Sequence, residues 1–280
     1  MIDDREENGK ESEVKKDKKW FQNQVMYNGM TYKDAVKEFP SFHKWDYDNL
    51  KKCRNKFLMN STGPPLPKHN IFIEGEEGVG KSILSESLAK ALADPEGKMI
   101  DDNIFFFSKK SNLLFEGYDG QPVVIWDSCL ADELLKYFHG RKNLLNFFDP
   151  FSAKSIQKVK HGHTGLINKI NIINSTQPFN FFISALVKNG DRNSIYKNFP
   201  LQISLYDNYF EFSFSKKFYE DIDEYNIFKL SEKIQGSVWM TASRCGNNYE
   251  LRHELLKRMF QPVIEICRQK DETEKERKSD

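Results

Sequence analysis

The chain has 280 residues and a formal net charge of +1, with 39% apolar and 30% charged side chains. This length allows one good-sized domain with accessories, or two small domains. Charge is concentrated at the ends, since residues 1–19 hold 13 charged side chains and residues 268–280 hold 10. We therefore expect a globular middle between two disordered charged tails. The near-neutral total excludes a polybasic coat for nucleic acid, but not a locally basic groove.

Two further classes of protein are excluded by the apolar and cysteine patterns. No run of about 18 apolar residues is present, so we expect no membrane contact through a spanning helix. The N-terminal sequence lacks the apolar core of a signal peptide. The four cysteines are widely separated and form no CxxC pair, which predicts neither a zinc site nor a disulfide framework and indicates a reducing compartment. They are Cys53, Cys129, Cys245 and Cys267.

Residues 20–62 predict a small helical region. Thr31 can cap a helix with the sequence TYKDAVKEF, which Pro40 ends. A second helix is predicted over 45–58, where apolar residues recur at helical spacing. Three prolines and a glycine then make 63–69 a linker.

Residues 70–215 alternate short apolar strands with helices, and 83–93 is the clearest of those helices. The main predicted strands are 70–75, 121–127 and 170–175. Such alternation predicts an α/β fold with a mainly parallel sheet, whose ligand sits beyond the carboxyl ends of the strands. After residue 200 a further strand pair is predicted, and 216–267 reads as amphipathic helices.

The segment GEEGVGKS fits the phosphate-binding pattern GxxxxGK[ST] at every fixed position. Glycines let backbone N–H groups curl around phosphates, and the helix N-terminus adds a positive dipole. Lys81 is expected to reach the β- and γ-phosphates, and the Ser82 hydroxyl to coordinate Mg²⁺. This loop is the predicted nucleotide site. Its residues are Gly75, Glu76, Glu77, Gly78, Val79, Gly80, Lys81 and Ser82.

Two polar residues at strand ends complete the predicted catalytic set. Asp127 ends the strand VVIWD, where a carboxylate can hold the Mg²⁺ shell. Asn174 ends the strand INIINS, where an amide can orient the attacking water. A GTPase would need an Asn-Lys-x-Asp base reader, and the nearest string, at 168–171, ends in asparagine. No arginine-rich lid of a small-molecule kinase is visible, so a ring ATPase is favoured.

The three motifs together resemble those of superfamily three helicases. The phrase YDGQPVVIWD is similar to the helicase half of rolling-circle replication initiators from plasmids and single-stranded DNA viruses. The resemblance covers about 70–215, and 31–60 resembles the helical collar, an oligomerisation region, that precedes such helicases. It implies an AAA+-type P-loop domain, a homo-hexameric ring, and ATP- and Mg²⁺-dependent 3′→5′ movement on single-stranded DNA. The expected compartment is the bacterial cytoplasm, or the host nucleus for a viral protein.

The resemblance also implies a DNA-gripping β-hairpin, which matches residues 155–167. Strand-like alternation brackets the basic residues there, and Gly162 suits a tight tip. Cations at such a tip can bind phosphates. The expected DNA contacts are Lys158, Lys160 and His161, and the alternative is an ordinary surface hairpin. Too few residues precede the first strand for a nicking domain. Either the nuclease is separate, which makes a nicking endonuclease an expected partner, or the chain works as a stand-alone helicase.

Two departures from the family pattern bear on hydrolysis. Ser128 follows Asp127, where the family has a second carboxylate that activates water, and a hydroxyl is a poor general base. Lys197 and Asn198 stand where paired arginines are usual, so Lys197 is the expected trans-acting cation, with Arg192 as the alternative. Two other functions therefore stay open: an ATP-binding assembly protein with inefficient hydrolysis, and a picornavirus-like RNA helicase.

Overall fold

A computed structural model of the chain describes residues 16–99, 101–152, 154–160, 162–187, 192–220, 228–230 and 233–279. The chain divides into two units, Met1–Phe57 and Leu58–Asp280. The sequence predicted that the helical region ends at position 62, and the division between the units lies a few residues before that position. Of the predicted tail at 1–19, residues 1–15 lie outside the described part, and residues 18–19 are already helical.

The first unit contains the predicted helices. They are α1 (Lys18–Tyr27), α2 (Tyr32–Glu38) and α3 (Lys44–Asn60), the last of which continues into the second unit. The Thr31 side chain accepts a hydrogen bond from the backbone N–H of Asp34, which confirms it as the N-cap of α2. The apolar faces of these helices meet around Phe21, Val25 and Leu50, all of which are buried. Amphipathic spacing is therefore what forms this small core.

The second unit is built on a mainly parallel sheet, as predicted. The parallel strands are β1 (His69–Glu74), β2 (Phe105–Phe107), β3 (Val123–Trp126), β6 (Ile170–Ser175) and β7 (Leu201–Leu205). The strands β8 (Tyr209–Ser215), β9 (Phe228–Leu230) and β10 (Ile234–Gln235) add antiparallel pairing. Among the described residues the order is β10-β8-β7-β1-β6-β3-β2, with β9 beside β8. A separate hairpin consists of β4 (Ser155–Val159) and β5 (Gly162–Leu166).

Helices cover both faces of this sheet. Those within the α/β part are α4 (Lys81–Ala93), α5 (Asp101–Ile104), α6 (Ala131–Tyr137), α7 (Arg141–Phe148), α8 (Phe179–Leu186), α9 (Asn193–Tyr196) and α10 (Lys216–Tyr219). Helix α4 belongs to the core that contains Ile71 and Ile73 of β1. On the other face Phe72 packs against Phe179 and Phe182 of α8, with ring centroids 5.1 and 4.7 Å apart. Burying one such phenylalanine contributes roughly 1.5–3 kcal/mol.

The C-terminal helices complete the core on the α4 face of the sheet. They are α11 (Val238–Arg244), α12 (Tyr249–Met259) and α13 (Gln261–Ser279). Val238, Leu256, Phe260 and Ile264 are buried in the same cluster as Leu84 of α4. Residues 216–267 were predicted to be helical, and that is wrong at β9 and β10, where short strands extend the sheet edge. These strands were too short to give a periodic signal.

The predicted disordered tail at 268–280 is also wrong, since α13 continues to Ser279. Lys270 is buried, and Asp271 bonds to His69 Nε2 at 2.9 Å and to Lys169. Burial lowers the pKa of His69, but the sulfur of Cys267 and the carboxylate of Asp271 outweigh it and raise that pKa to about 9. The charged side chains of this segment therefore anchor α13 to the rest of its unit. No helix in the described part of the chain is both long and apolar enough to cross a membrane.

Candidate nucleotide-binding site

The predicted phosphate loop lies between the end of β1 and the start of α4. Gly80 has φ +100°, and a Cβ there would lie 2.7 Å from Val238 Cγ1, so a larger residue would collide with α11. A Cβ on Gly75 would lie 2.7 Å from the carbonyl oxygen of Leu205. Both glycines are therefore required by backbone conformation and close packing. Of the other loop residues, Glu76, Glu77 and Gly78 are exposed, and Val79 is buried.

The inside of the loop carries hydrogen-bond donors. Within the described chain, the backbone N–H groups of Gly80, Lys81 and Ser82 donate to no other residue. Lys81 Nζ donates to the carbonyl oxygens of Gly75 (2.8 Å) and Glu76 (2.6 Å). Burial lowers the Lys81 pKa, while the charges of Asp127 and Glu77 oppose that change. Unpaired N–H groups and an adjacent ammonium at a helix start form a site for an anion such as a polyphosphate.

Ser82, Asp127 and Asn174 meet beside this loop. The β1–β6 pairing sets Ile73 opposite Asn174, and the β3–β6 pairing brings the end of β3 alongside. Asp127 Oδ1 accepts hydrogen bonds from Ser82 Oγ at 2.7 Å and from Asn174 Nδ2 at 2.8 Å. The structure thus joins three residues that are far apart in sequence.

This group suits a hydrated magnesium ion. Mg²⁺ prefers oxygen ligands, commonly one or two from protein beside phosphate oxygens and water. The Ser82 hydroxyl and the Asp127 carboxylate supply such oxygens at the start of α4. No cluster of three or more His, Cys, Asp or Glu side chains that could hold a metal occurs in the described part of the chain. The donor set therefore fits an ion shared with a phosphate ligand better than one held by protein alone.

Ser128 contributes to the site through its backbone N–H group rather than its side chain. It has φ +50°, an unusual conformation for a residue other than glycine, and its N–H donates to Asn174 Oδ1 at 2.5 Å. Its side chain is exposed. Of the two nearby carboxylates, Glu133 accepts a hydrogen bond from the Leu130 N–H at the start of α6, and Asp132 is exposed.

The predicted trans-acting cations lie on the surface. Lys197 follows α9 and is exposed, as is Arg192 at the start of that helix. In the described chain neither bonds to the phosphate loop. Asn198 instead has a structural role, because it is buried and its Nδ2 donates to the carbonyl oxygen of Leu145 at 2.8 Å.

The predicted hairpin is confirmed as β4 and β5. Val159 pairs with Gly162, the first residue of β5, so Gly162 follows the tip rather than forming it. Lys158 and Lys160 are exposed. The backbone N–H of Lys160 donates to Glu116 Oε2 at 2.7 Å, which leaves its ammonium group outside that contact. His161, the third expected DNA contact, lies outside the described residues.

Sequence reasoning missed three residues around the loop. Ser85 Oγ accepts from Asn174 Nδ2 at 3.2 Å, and Lys110 Nζ donates to the carbonyl oxygen of Ser128 at 3.1 Å. The Glu74 carboxylate bonds to the Ser204 hydroxyl at 2.5 Å and to the backbone N–H of Phe179. Glu74 directly precedes the loop, which was an available signal. No sequence signal marks Ser85 or Lys110, because their positions beside the loop depend on tertiary packing.

Comparison with known protein families agrees with this geometry. A family described as RNA helicase matches residues 71–138, which include most of β1, the phosphate loop, α4 and Asp127. No curated protein matches the chain. The α/β unit is therefore similar to helicases, enzymes that hydrolyse nucleoside triphosphates. The matched range stops before Asn174 and before the hairpin.

Proposed function

We propose that this chain is an ATP-dependent DNA helicase that moves 3′→5′ on single-stranded DNA as a homo-hexameric ring. Its task would be replication of a plasmid or a small single-stranded DNA element. The single observation that carries the proposal is the hydrogen-bonded group of Ser82, Asp127 and Asn174 beside the glycine loop. That group provides a metal-binding hydroxyl, a carboxylate and an amide where the γ-phosphate of a loop-bound nucleotide would lie.

Each residue of the site has a distinct role in this proposal. Lys81 leaves the carbonyl oxygens of Gly75 and Glu76 and pairs with the β- and γ-phosphates of ATP. Ser82 and Asp127 hold Mg²⁺, which neutralises charge on the phosphates. Asn174 donates toward the γ-phosphate or the attacking water, and its Oδ1 fixes the backbone at Ser128. Catalysis here depends on positioning and electrostatics.

The ring supplies the remaining parts of the proposed mechanism. Lys197, which is exposed at the end of α9, would reach the nucleotide of a neighbouring subunit, with Arg192 as the alternative cation. Lys158, Lys160 and His161 of the hairpin would bind backbone phosphates of the strand. A ring presents several copies of this cluster, which compensates for a net charge near zero. A separate nicking endonuclease would supply the origin nick, in a bacterial cytoplasm or the nucleus of a viral host.

RNA is the second candidate for the polymer, and the family description favours it, because the matching family is named for RNA helicases. That match covers the phosphate loop and Asp127, which do not distinguish the two polymers. DNA remains the first choice because YDGQPVVIWD resembles the DNA replication initiators. The alternative of an ATP-binding assembly protein rests on Ser128, whose hydroxyl is no general base.

One experiment separates these three functions. ATP turnover is measured with Mg²⁺ alone, with single-stranded DNA, and with single-stranded RNA of the same sequence, always beside a Lys81→Ala control. Stimulation by DNA above RNA supports the proposal, and the reverse order supports the RNA helicase. ATP binding without turnover, with or without polymer, supports the assembly protein. Measurable turnover that is equal in wild type and Lys81→Ala would reject all three.

A further inference from the structure

Helix α11 begins directly against the phosphate loop. Val238, its first residue, is 2% exposed and lies so close to Gly80 that an added Cβ there would be 2.7 Å from Val238 Cγ1. The same Cβ would lie 3.3 Å from the backbone nitrogen of Trp239. The Ser237 side chain caps the helix by accepting from the backbone N–H of Met240, which fixes where α11 starts. The position of Trp239 relative to the loop is therefore set by the fold.

Trp239 is unusually exposed for the largest apolar side chain. It is 55% exposed, although Val238 beside it is buried in the core. In the described part of the chain, no other ring packs on its indole and no residue bonds to its Nε1. The flat indole of Trp239 is therefore exposed to solvent, one residue after Val238, which contacts the phosphate loop. Tryptophan is enriched at interfaces, and this exposed ring offers a flat face on which a ligand can stack.

We propose that Trp239 stacks on the base of the nucleotide whose phosphates bind the loop, and that it gives the site a preference for purines. This inference rests on the proposed nucleotide site and adds the group that recognises the base. A base–aromatic stack suits this location because every base offers a π-face, and larger rings stack more strongly. Stacking alone selects purines over pyrimidines and distinguishes ATP from GTP weakly.

The other aromatic pair near the loop is less suited to this role. Tyr206 and Tyr209 stack on each other with ring centroids 4.2 Å apart, and Lys233 Nζ lies 3.3 Å from the centroid of the Tyr209 ring. The cleft of about 500 Å³ that these tyrosines line also contains Glu74, whose carboxylate bonds to the N–H of Phe179 in α8. The cleft also borders the loop at Gly75, Glu76 and Val79. The two tyrosine rings, however, already contact each other and Lys233, whereas no ring packs on Trp239 in the described part of the chain.

The test compares ATP with inorganic triphosphate, which binds the loop but has no base. Dissociation constants with Mg²⁺ are measured by calorimetry for wild type, Trp239→Ala, Trp239→Phe and Met240→Ala. Met240 is the matched control, because it is adjacent and 50% exposed. We expect Trp239→Ala to weaken ATP about tenfold, as expected for the loss of one stack. Triphosphate should bind unchanged, Trp239→Phe should restore most of the affinity, and wild type should bind ATP and GTP more tightly than CTP and UTP.

Several outcomes would overturn the inference. Unchanged ATP affinity in Trp239→Ala would exclude stacking while leaving the proposed function intact. Equal weakening of ATP and triphosphate would mean that the substitution disturbs the loop and not base binding. Equal losses in Trp239→Ala and Met240→Ala would indicate a general surface effect. If wild type binds neither ligand, or Lys81→Ala binds both as well as wild type, the proposed nucleotide site itself fails.

Discussion

Replacing Asn174 with alanine should abolish efficient turnover while ATP still binds. The amide is fully buried and makes three hydrogen bonds: to Asp127 Oδ1 (2.8 Å), to Ser85 Oγ (3.2 Å) and from the Ser128 N–H (2.5 Å). Its loss removes the donor beside the γ-phosphate position and frees the backbone at Ser128. Removing one positioned donor of this kind typically lowers kcat by roughly 10²-fold. The phosphate contacts from the loop remain, so ATP affinity should change only a few-fold.

Asn171 provides a matched control for the stability cost. It is also fully buried on β6, and its side chain bonds to Asn70 (2.7 Å), Asn168 (3.0 Å) and Trp126 (3.4 Å). Net hydrogen bonds contribute about 1 kcal/mol each, and more when one partner is charged. Asn174→Ala and Asn171→Ala should therefore each lower the free energy of unfolding by about 3–4 kcal/mol. A domain of this size usually has enough stability to remain folded.

The assay pairs denaturant unfolding with steady-state turnover and ATP binding for both variants. Circular dichroism establishes that each is folded at the assay temperature. The catalytic role of Asn174 predicts a large fall in kcat for Asn174→Ala only, with similar unfolding energies for the two variants. If both variants lose turnover in proportion to their lost stability, Asn174 only supports the fold, and the assigned role is wrong.

Three further predictions follow from the site and its surroundings. Ser128→Glu should raise kcat by up to roughly 10²-fold, because it supplies a general base, whereas Ser128→Gln should not. A wild type that is already fast, and that Ser128→Glu slows, would contradict this role. Lys160→Ala should weaken single-stranded DNA binding and make its salt dependence shallower, without changing basal turnover. Lys142 is also exposed, and the control variant Lys142→Ala should change neither the DNA affinity nor its salt dependence. Equal DNA affinity in the two variants would reject the role of the hairpin in DNA binding. Cys267 and Asp271 together raise the His69 pKa to about 9 in the folded chain, against about 6.5 unfolded, so the charged imidazole stabilises the fold fully below pH 6.5. That stabilisation is lost as pH rises through about 9. Urea unfolding should lose about 3 kcal/mol more between pH 6 and pH 9.5 in wild type than in His69→Gln, and parallel pH profiles would refute that coupling.

The sequence predicted the α/β unit well because its signals are local. A glycine loop needs a strand before it and a helix after it, and both are read from periodicity within a short window. The ends of β3 and β6 could also be predicted, since the apolar run of β3 stops at Asp127 and the isoleucines of β6 stop before Asn174. The adjacency of those two residues could also be inferred, because parallel strands expose their carboxyl ends along one edge.

What the sequence did not reveal depends on tertiary contacts. The charged segment after residue 268 reads as a solvated tail, yet Asp271 bonds to His69 and Lys169, which precede or begin strands far away in the chain. Trp239 likewise has no sequence signal, because its place beside Gly80 arises from the packing of α11 on the core. Composition reports how much charge a segment carries, but not which of those charges find buried partners.

The most direct test of the account is ATP hydrolysis by wild type and Lys81→Ala, measured with Mg²⁺ and saturating single-stranded DNA. Lys81 lies in the loop with its ammonium on the carbonyl oxygens of Gly75 and Glu76, and no other lysine of the described chain does so. The account predicts DNA-stimulated turnover in wild type, and turnover reduced to background with weakened ATP binding in the variant. Full activity in Lys81→Ala would contradict it.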